Sequence, residues 1–248
     1  MKIASIVVAV SALLLSTMAC AAEIRVISTQ ATKEAHIELV AQFEKATGHK
    51  VTTDFDGTAN VQKVLADGGR YDLVIMVNTG IDQEVKQGRA VADSRIDFAA
   101  SGTGVAVRKG APKPDISSAE ALKKTLLDAK TIGYSTGPSG VYMIGLFQRL
   151  GIADEVKPKL KQTPTGVFVG SIIASGEAEI GFQQVSELSH FAGVDYIGPL
   201  PADIQQFTTF SSGITAGAKE ADAAKALVKF ITSPNAAAAY KKRGMEPG

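Results

Sequence analysis

Four short stretches of this chain place hydroxyls, amides and glycines directly ahead of helical patterns. They are Ser28-Thr29-Gln30-Ala31-Thr32, Asp56-Gly57-Thr58-Ala59-Asn60, Ser135-Thr136-Gly137-Pro138-Ser139-Gly140 and Pro164-Thr165-Gly166-Val167-Phe168-Val169-Gly170. The first N–H groups of a helix lack an intrahelical acceptor and lie at the positive end of its dipole. Such a start binds an anion through the main chain alone, and neighbouring hydroxyls add donors. A single Ser or Thr at such a place is most often an ordinary N-cap. Four segments of one design point instead to a shared anion site. The candidate contacts are Ser28, Thr29, Gln30 and Ala31, then Gly57 and Thr58, then Ser135, Thr136, Gly137, Ser139 and Gly140, and finally Val169. Gln183 and Gln184 follow Ile180-Gly181-Phe182 at another strand end. Their amides suit ligand oxygens; the other reading is a solvated turn.

Any catalysis here has to be proton transfer by side chains. The chain holds no GxxxxGK[ST] loop, no G-x-S-x-G elbow, no HExxH and no G-x-G-x-x-G. Tyr142, Ser139, His36 and Ser28 are the candidate proton carriers, none marked out by its spacing. Tyr142 also reads as core packing on a helix, and His36, one turn into the first helix, also reads as a surface residue. His36, His49 and His190 share no metal-ligand spacing, so neither metal nor cofactor is expected.

The elements that must hold these residues alternate. Ile24 to Ile27 reads as a buried strand, Ala31 to Thr47 as a helix stopped by Gly48, and Lys50 to Phe55 as a strand. Val61 to Ala66 looks helical, and Asp72 to Val77 is a further apolar strand. After the strand Ser101 to Arg108, a second alternating unit follows. It comprises the helix Ala119 to Ala129 with Ser117 or Ser118 as its cap, the strand Thr131 to Tyr134, the helices Gly140 to Leu150 and Phe168 to Ser175, and the strand Glu179 to Phe182. Asp195 to Gly198 and Phe207 to Ile214 are strand-like, and helices over Asp222 to Thr232 and Pro234 to Arg243 close the chain. This order predicts a largely parallel sheet with helices on both faces. With no flexible linker, it predicts lobes joined by crossing strands at 101–108 and 207–214, the last helices returning to the first lobe. Ligand then sits between the lobes, beyond the strand ends.

The chain starts with a charged, apolar, small-residue order: Lys2, the run Ile3 to Leu15, and Ser16 to Ala22. That is the pattern of a cleaved secretory signal over residues 1–22. Thr17 disfavours the alternative of a lipidated Cys20. Cleavage would remove the single cysteine and with it all thiol chemistry. A net charge of +1 argues against a nucleic-acid partner.

Over most of its length the chain resembles the molybdate-binding-protein-like branch of type II periplasmic solute-binding proteins, a family with an aconitate isomerase branch. The resemblance is carried by Gln42-Phe43-Glu44-Lys45-Ala46-Thr47-Gly48, Tyr71-Asp72-Leu73-Val74-Ile75, Gly137-Pro138-Ser139-Gly140-Val141-Tyr142, Ser233-Pro234 and Arg243-Gly244. It implies an α/β fold of two lobes, 23–104 plus 208–248 and 105–207, joined by two crossing strands around a ligand cleft. It also implies a periplasmic monomer that closes on a small anion, a tricarboxylate or an oxyanion. Ala31 stands where molybdate binders carry a serine, and Gln184 where they carry a tyrosine, which favours an organic polyacid. The activity implied is cis/trans-aconitate isomerisation; the alternative is a receptor serving an inner-membrane ABC permease.

Overall fold

A computed structural model describes residues 21–248. The expected signal segment, with Cys20, lies almost wholly outside them. The first lobe is built on β1 (Glu23–Thr29), β2 (Lys50–Asp56) and β3 (Leu73–Val77), with β1 parallel to both others. Strand alternation assigns each side chain to one face. Leu73 and Ile75 join a core with Leu39 and Phe43 of α1 (Lys33–Thr47). Val74 and Met76 point the other way, to Val61 and Leu65 of α2 (Thr58–Ala66) and Ile81 of α3 (Asn78–Lys86). Both faces of the sheet are therefore covered, which explains the unbroken apolar run of β3. Fully burying each such side chain stabilises the fold by about 1.5–3 kcal/mol.

Next comes β4 (Ile96–Arg108), a 13-residue strand. Its first half pairs antiparallel with β9 (Phe207–Ile214), which itself pairs with β3. Its second half pairs with β7 (Ile180–Gln184) and β8 (Val194–Pro199). The partner changes at Gly102-Thr103, where Gln205 fills the ladder gap: its Oε1 accepts from Thr103 N at 2.8 Å and its Nε2 donates to Thr103 O at 3.0 Å. β5 (Ile132–Tyr134) and β6 (Leu160–Gln162) complete the second sheet in parallel with β7. Val105 and Val107 of β4 face α4 (Ala119–Asp128), α5 (Pro138–Arg149) and α6 (Ala153–Val156), while Ala106 faces α7 (Val169–Ala174) and α8 (Val185–Leu188).

α9 (Ala221–Ile231) and α10 (Ala237–Lys242) return to the first lobe, burying Leu227, Ile231 and Tyr240 beside Ile24 and Phe43. Asp72 fixes the α9 start, its Oδ1 accepting from Lys219 N at 2.7 Å and Glu220 N at 3.0 Å. The short β10 (Glu246–Pro247) adds to β4.

Several sequence expectations need correction. A single 3₁₀ turn, Gln30–Thr32, precedes α1, so the helix starts at Lys33 rather than Ala31. α2 starts three residues early, at Thr58. Gln183 and Gln184 are the buried last residues of β7 rather than a turn beyond it. α3, α6, α8, β6 and β10 had no counterpart in the sequence reading. Ser118 is the α4 cap, its Oγ accepting from Ala121 N at 3.1 Å.

Candidate functional site

A cavity of about 700 Å³ opens between the lobes, with walls from the ends of β1, β2 and β3, from α5, and from β7 and β9. The helix starts converge on it unequally. At the first, Thr29, Gln30 and Ala31 line the cavity. Ser28 lies beneath them, fully buried, its hydroxyl 2.8 Å from Thr32 Oγ1. At the second, Gly57 and Thr58 line the cavity, but the α2 start already holds a carboxylate. Asp56 Oδ1 accepts from Gly57 N at 2.6 Å and from Asn60 Nδ2 at 3.0 Å. This is also where the lobes touch: a Cβ on Gly57 would lie 2.6 Å from Thr165 Cγ2, and one on Gly166 would lie 2.4 Å from Asp56 Oδ1.

The third start is the most open to a ligand. Ser135, Thr136, Gly137 and Ser139 line the cavity, and Pro138 opens α5. The Ser135 hydroxyl accepts from Gly137 N at 3.2 Å and lies 3.3 Å from Ser139 Oγ. Gly140 is behind the loop, where a Cβ would fall 1.7 Å from Ser135 O; only glycine lets the turn close. At the fourth start Thr165, Gly166 and Val167 reach the cavity. Val169 is fully buried and its N–H is taken, donating to Gln183 Oε1 at 2.8 Å.

Gln183 and Gln184 line the cavity floor, but their amides are committed to the protein. Gln183 Nε2 donates to Glu187 Oε1 at 2.9 Å. In the orientation that satisfies both its ends, Gln184 donates to Ser101 O at 2.9 Å and Gly102 O at 3.2 Å and accepts from Thr208 Oγ1 at 2.8 Å. It ties β7 to both crossing strands. Tyr142 lines the wall with its ring, and its hydroxyl donates to Ile204 O. His36 is buried on α1 away from the cavity lining, 3.0 Å from Thr53 Oγ1 and edge-on to Phe55. Neither a surface nor a cleft position describes it. Burial lowers its pKa to about 4, so it is neutral.

Several lining groups were missed in the sequence, among them Gln62 on α2 and Gln206, Thr208 and Thr209 at the β9 edge. Asn78 and Thr79 open α3 at the end of β3, repeating the strand–polar–helix design of the four recognised segments. Arg149 is the sole lysine or arginine of the lining; with Tyr142 it belongs to the stripe 138, 142, 145, 149 on α5, its guanidinium 4.9 Å from the Tyr142 ring centre. Glu187, on α8, is the sole carboxylate of the lining. Among the described residues no group of three or more His, Cys, Asp or Glu could hold a metal ion. The arrangement offers main-chain and hydroxyl donors from both lobes together with one cation, which suits a small anion with several oxygens.

Comparison with known proteins agrees with this architecture. A family model described as bacterial extracellular solute-binding protein matches residues 24–246. An aconitate isomerase of Pseudomonas sp. is 37% identical over 216 residues, 85% of this chain and 82% of that protein. The molybdate-binding protein ModA of Azotobacter vinelandii is 29% identical over 252 residues, 98% and 97% of the two chains. The solved periplasmic molybdate-binding protein of Azotobacter vinelandii superposes with a TM-score of 0.76 at 21% identity, covering 90% of this chain and 98% of that one, so the fold is shared.

Proposed function

Taking as premise that this chain belongs to the bacterial extracellular solute-binding proteins, we propose that it is an isomerase interconverting cis- and trans-aconitate. The observation that carries this reading is the cleft: helix-start donors from both lobes face one cation in a cavity of about 700 Å³, a volume ordinary for small-molecule sites. An allylic proton shift needs fixed carboxylates and stabilisation of the negative charge that spreads as the proton leaves. It needs no redox partner. The donors at the α5 start and Arg149 would hold carboxylates, and closing the lobes would exclude water and strengthen each contact. The 37% identity to an aconitate isomerase supports the same reaction.

The test is purified protein with trans-aconitate in heavy water, followed by proton NMR. Conversion to the cis isomer with deuterium entering at carbon is expected. Tight binding without conversion or exchange would overturn the isomerase reading. It would favour a transport receptor delivering the anion to an inner-membrane ABC permease, the reading that the near full-length match to ModA supports.

The same proposal places the protein in the periplasm after cleavage of residues 1–22, as a monomer with lobes 23–104 plus 208–248 and 105–207. No helix among the described residues is long and apolar enough to cross a membrane.

A further inference from the structure

The isomerase reading leaves open which group moves the proton. Three ionisable side chains line the cleft: Tyr142, Arg149 and Glu187. The Tyr142 hydroxyl is already donating to Ile204 O, and a guanidinium keeps its proton at any working pH. Glu187 remains. Its carboxyl is held by a relay in which Gln183 accepts from Val169 N through Oε1, leaving Nε2 to donate to Glu187 Oε1 at 2.9 Å. That fixes Oε1 as an acceptor, so the proton of a neutral Glu187 belongs on Oε2. Resting on the isomerase reading, we propose that Glu187 is the proton carrier of the allylic shift.

The step balances without a co-reactant. The Glu187 carboxylate takes a proton from the methylene carbon of aconitate. The C–H electron pair becomes the new C=C bond to the central carbon. The old C=C pair takes the proton back from the Glu187 carboxyl at the former vinyl carbon. One C–H bond breaks, one forms, and nothing is oxidised.

The local electrostatics suit such a carrier. Burial pushes the Glu187 carboxyl up to about 8, against the opposing pull of the Gln184 backbone and the Gln183 amide. A base of that strength removes a carbon-bound proton better than an ordinary carboxylate, yet it is still deprotonated in part near neutrality. No charged neighbour contributes to the shift. The elements packed on α8 carry Asp97 and Arg108 on β4 and Asp195 and Tyr196 on β8. Asp97 is engaged by Arg95, and Asp195 by Gly110 N. Arg243, whose loop meets Val185, is paired with Glu34 and Glu38, and His190 with Ser189.

The test compares wild type with E187Q, which keeps the acceptor for Gln183, and with E187D. Turnover of trans-aconitate is measured beside affinity for propane-1,2,3-tricarboxylate, the saturated analogue that cannot isomerise. E187Q should bind the analogue near pH 7 and lose about 100-fold or more in kcat, with E187D recovering part of it. Wild-type kcat/KM should rise with pH to a plateau above about 8, because the carboxylate is the reacting form. Wild-type affinity for the analogue, itself anionic, should fall through the same range as Glu187 acquires its negative charge, and E187Q should not show that fall. If E187Q keeps turnover within tenfold of wild type, or if analogue affinity has the same pH profile in both proteins, the assignment is overturned while the isomerase reading stands. A wild type that converts neither aconitate isomer overturns the isomerase reading, and the assignment with it.

Discussion

Ser135 and Ser139 face the cleft from the α5 start with hydroxyls that touch each other rather than a backbone carbonyl. Both are therefore free to turn towards a bound anion. A hydrogen bond to a charged group is worth about 1.5–3 kcal/mol, so S139A should weaken trans-aconitate binding roughly 10- to 100-fold. S135A should do the same or somewhat less, since Gly137 N also leans on that hydroxyl. Titration calorimetry measures both, and unchanged affinity in the pair would remove the α5 start from the site. These serines were legible in the sequence because a hydroxyl before a helix is a local signal. Arg149 was not, because it stands at the far end of α5 and only the stripe through Tyr142 and Gly145 brings it to the cavity. Glu187 was hidden for another reason: α8 spans four residues, too few for a periodic pattern. The glutamine pair was legible as a strand end, but the partners that occupy its amides come from β4, β9, α7 and α8, and all but Glu187 are distant in the sequence.

Elements with alternating or helical apolar spacing were readable, and those whose buried positions are polar were not. α3 buries Glu84, fully enclosed and bonded by the Arg89 guanidinium at 2.6 and 3.1 Å, so its inward stripe does not look apolar. His36 is likewise a buried polar residue, on α1, a helix whose apolar spacing was readable all the same. Its folded pKa of about 4 lies below the ordinary 6.5, so between those values the unfolded chain binds a proton that the folded chain does not. Stability contributed by keeping His36 neutral is therefore complete above pH 6.5 and is lost as pH falls towards 4, by an amount on the order of 3 kcal/mol. Carboxylates titrate in the same range, so the measurement is a difference. Tm recorded from pH 4.5 to 7 should fall less steeply for H36Q, which retains a partner for Thr53, than for wild type. Parallel Tm profiles would mean that His36 carries its proton in the folded protein.

For the molecule as a whole, the lobes meet where Gly57 faces Thr165 and Gly166. Gly57 has ordinary extended dihedrals, φ −71° and ψ 151°, so G57A adds a methyl without backbone strain. That methyl would stand 2.6 Å from Thr165 Cγ2 and 2.9 Å from Gly166 N. G57A should therefore fold as wild type does but fail to shut fully, with at least tenfold weaker ligand binding. Small-angle scattering should show a smaller ligand-induced contraction than in wild type. A wild-type contraction in G57A would mean that the second lobe yields at this contact. The two-lobed plan itself was legible, since two alternating strand–helix units follow one another with no flexible linker between them. What that plan entails is less obvious. β4 is a structural member of both lobes, with its first half laddered to β9 and its second to β7 and β8. Neither lobe can come apart without stripping the other of a central strand. The bending line thus runs through shared backbone rather than a tether, and thermal loss of the two halves is one event, in which the protein keeps both of its jaws or neither.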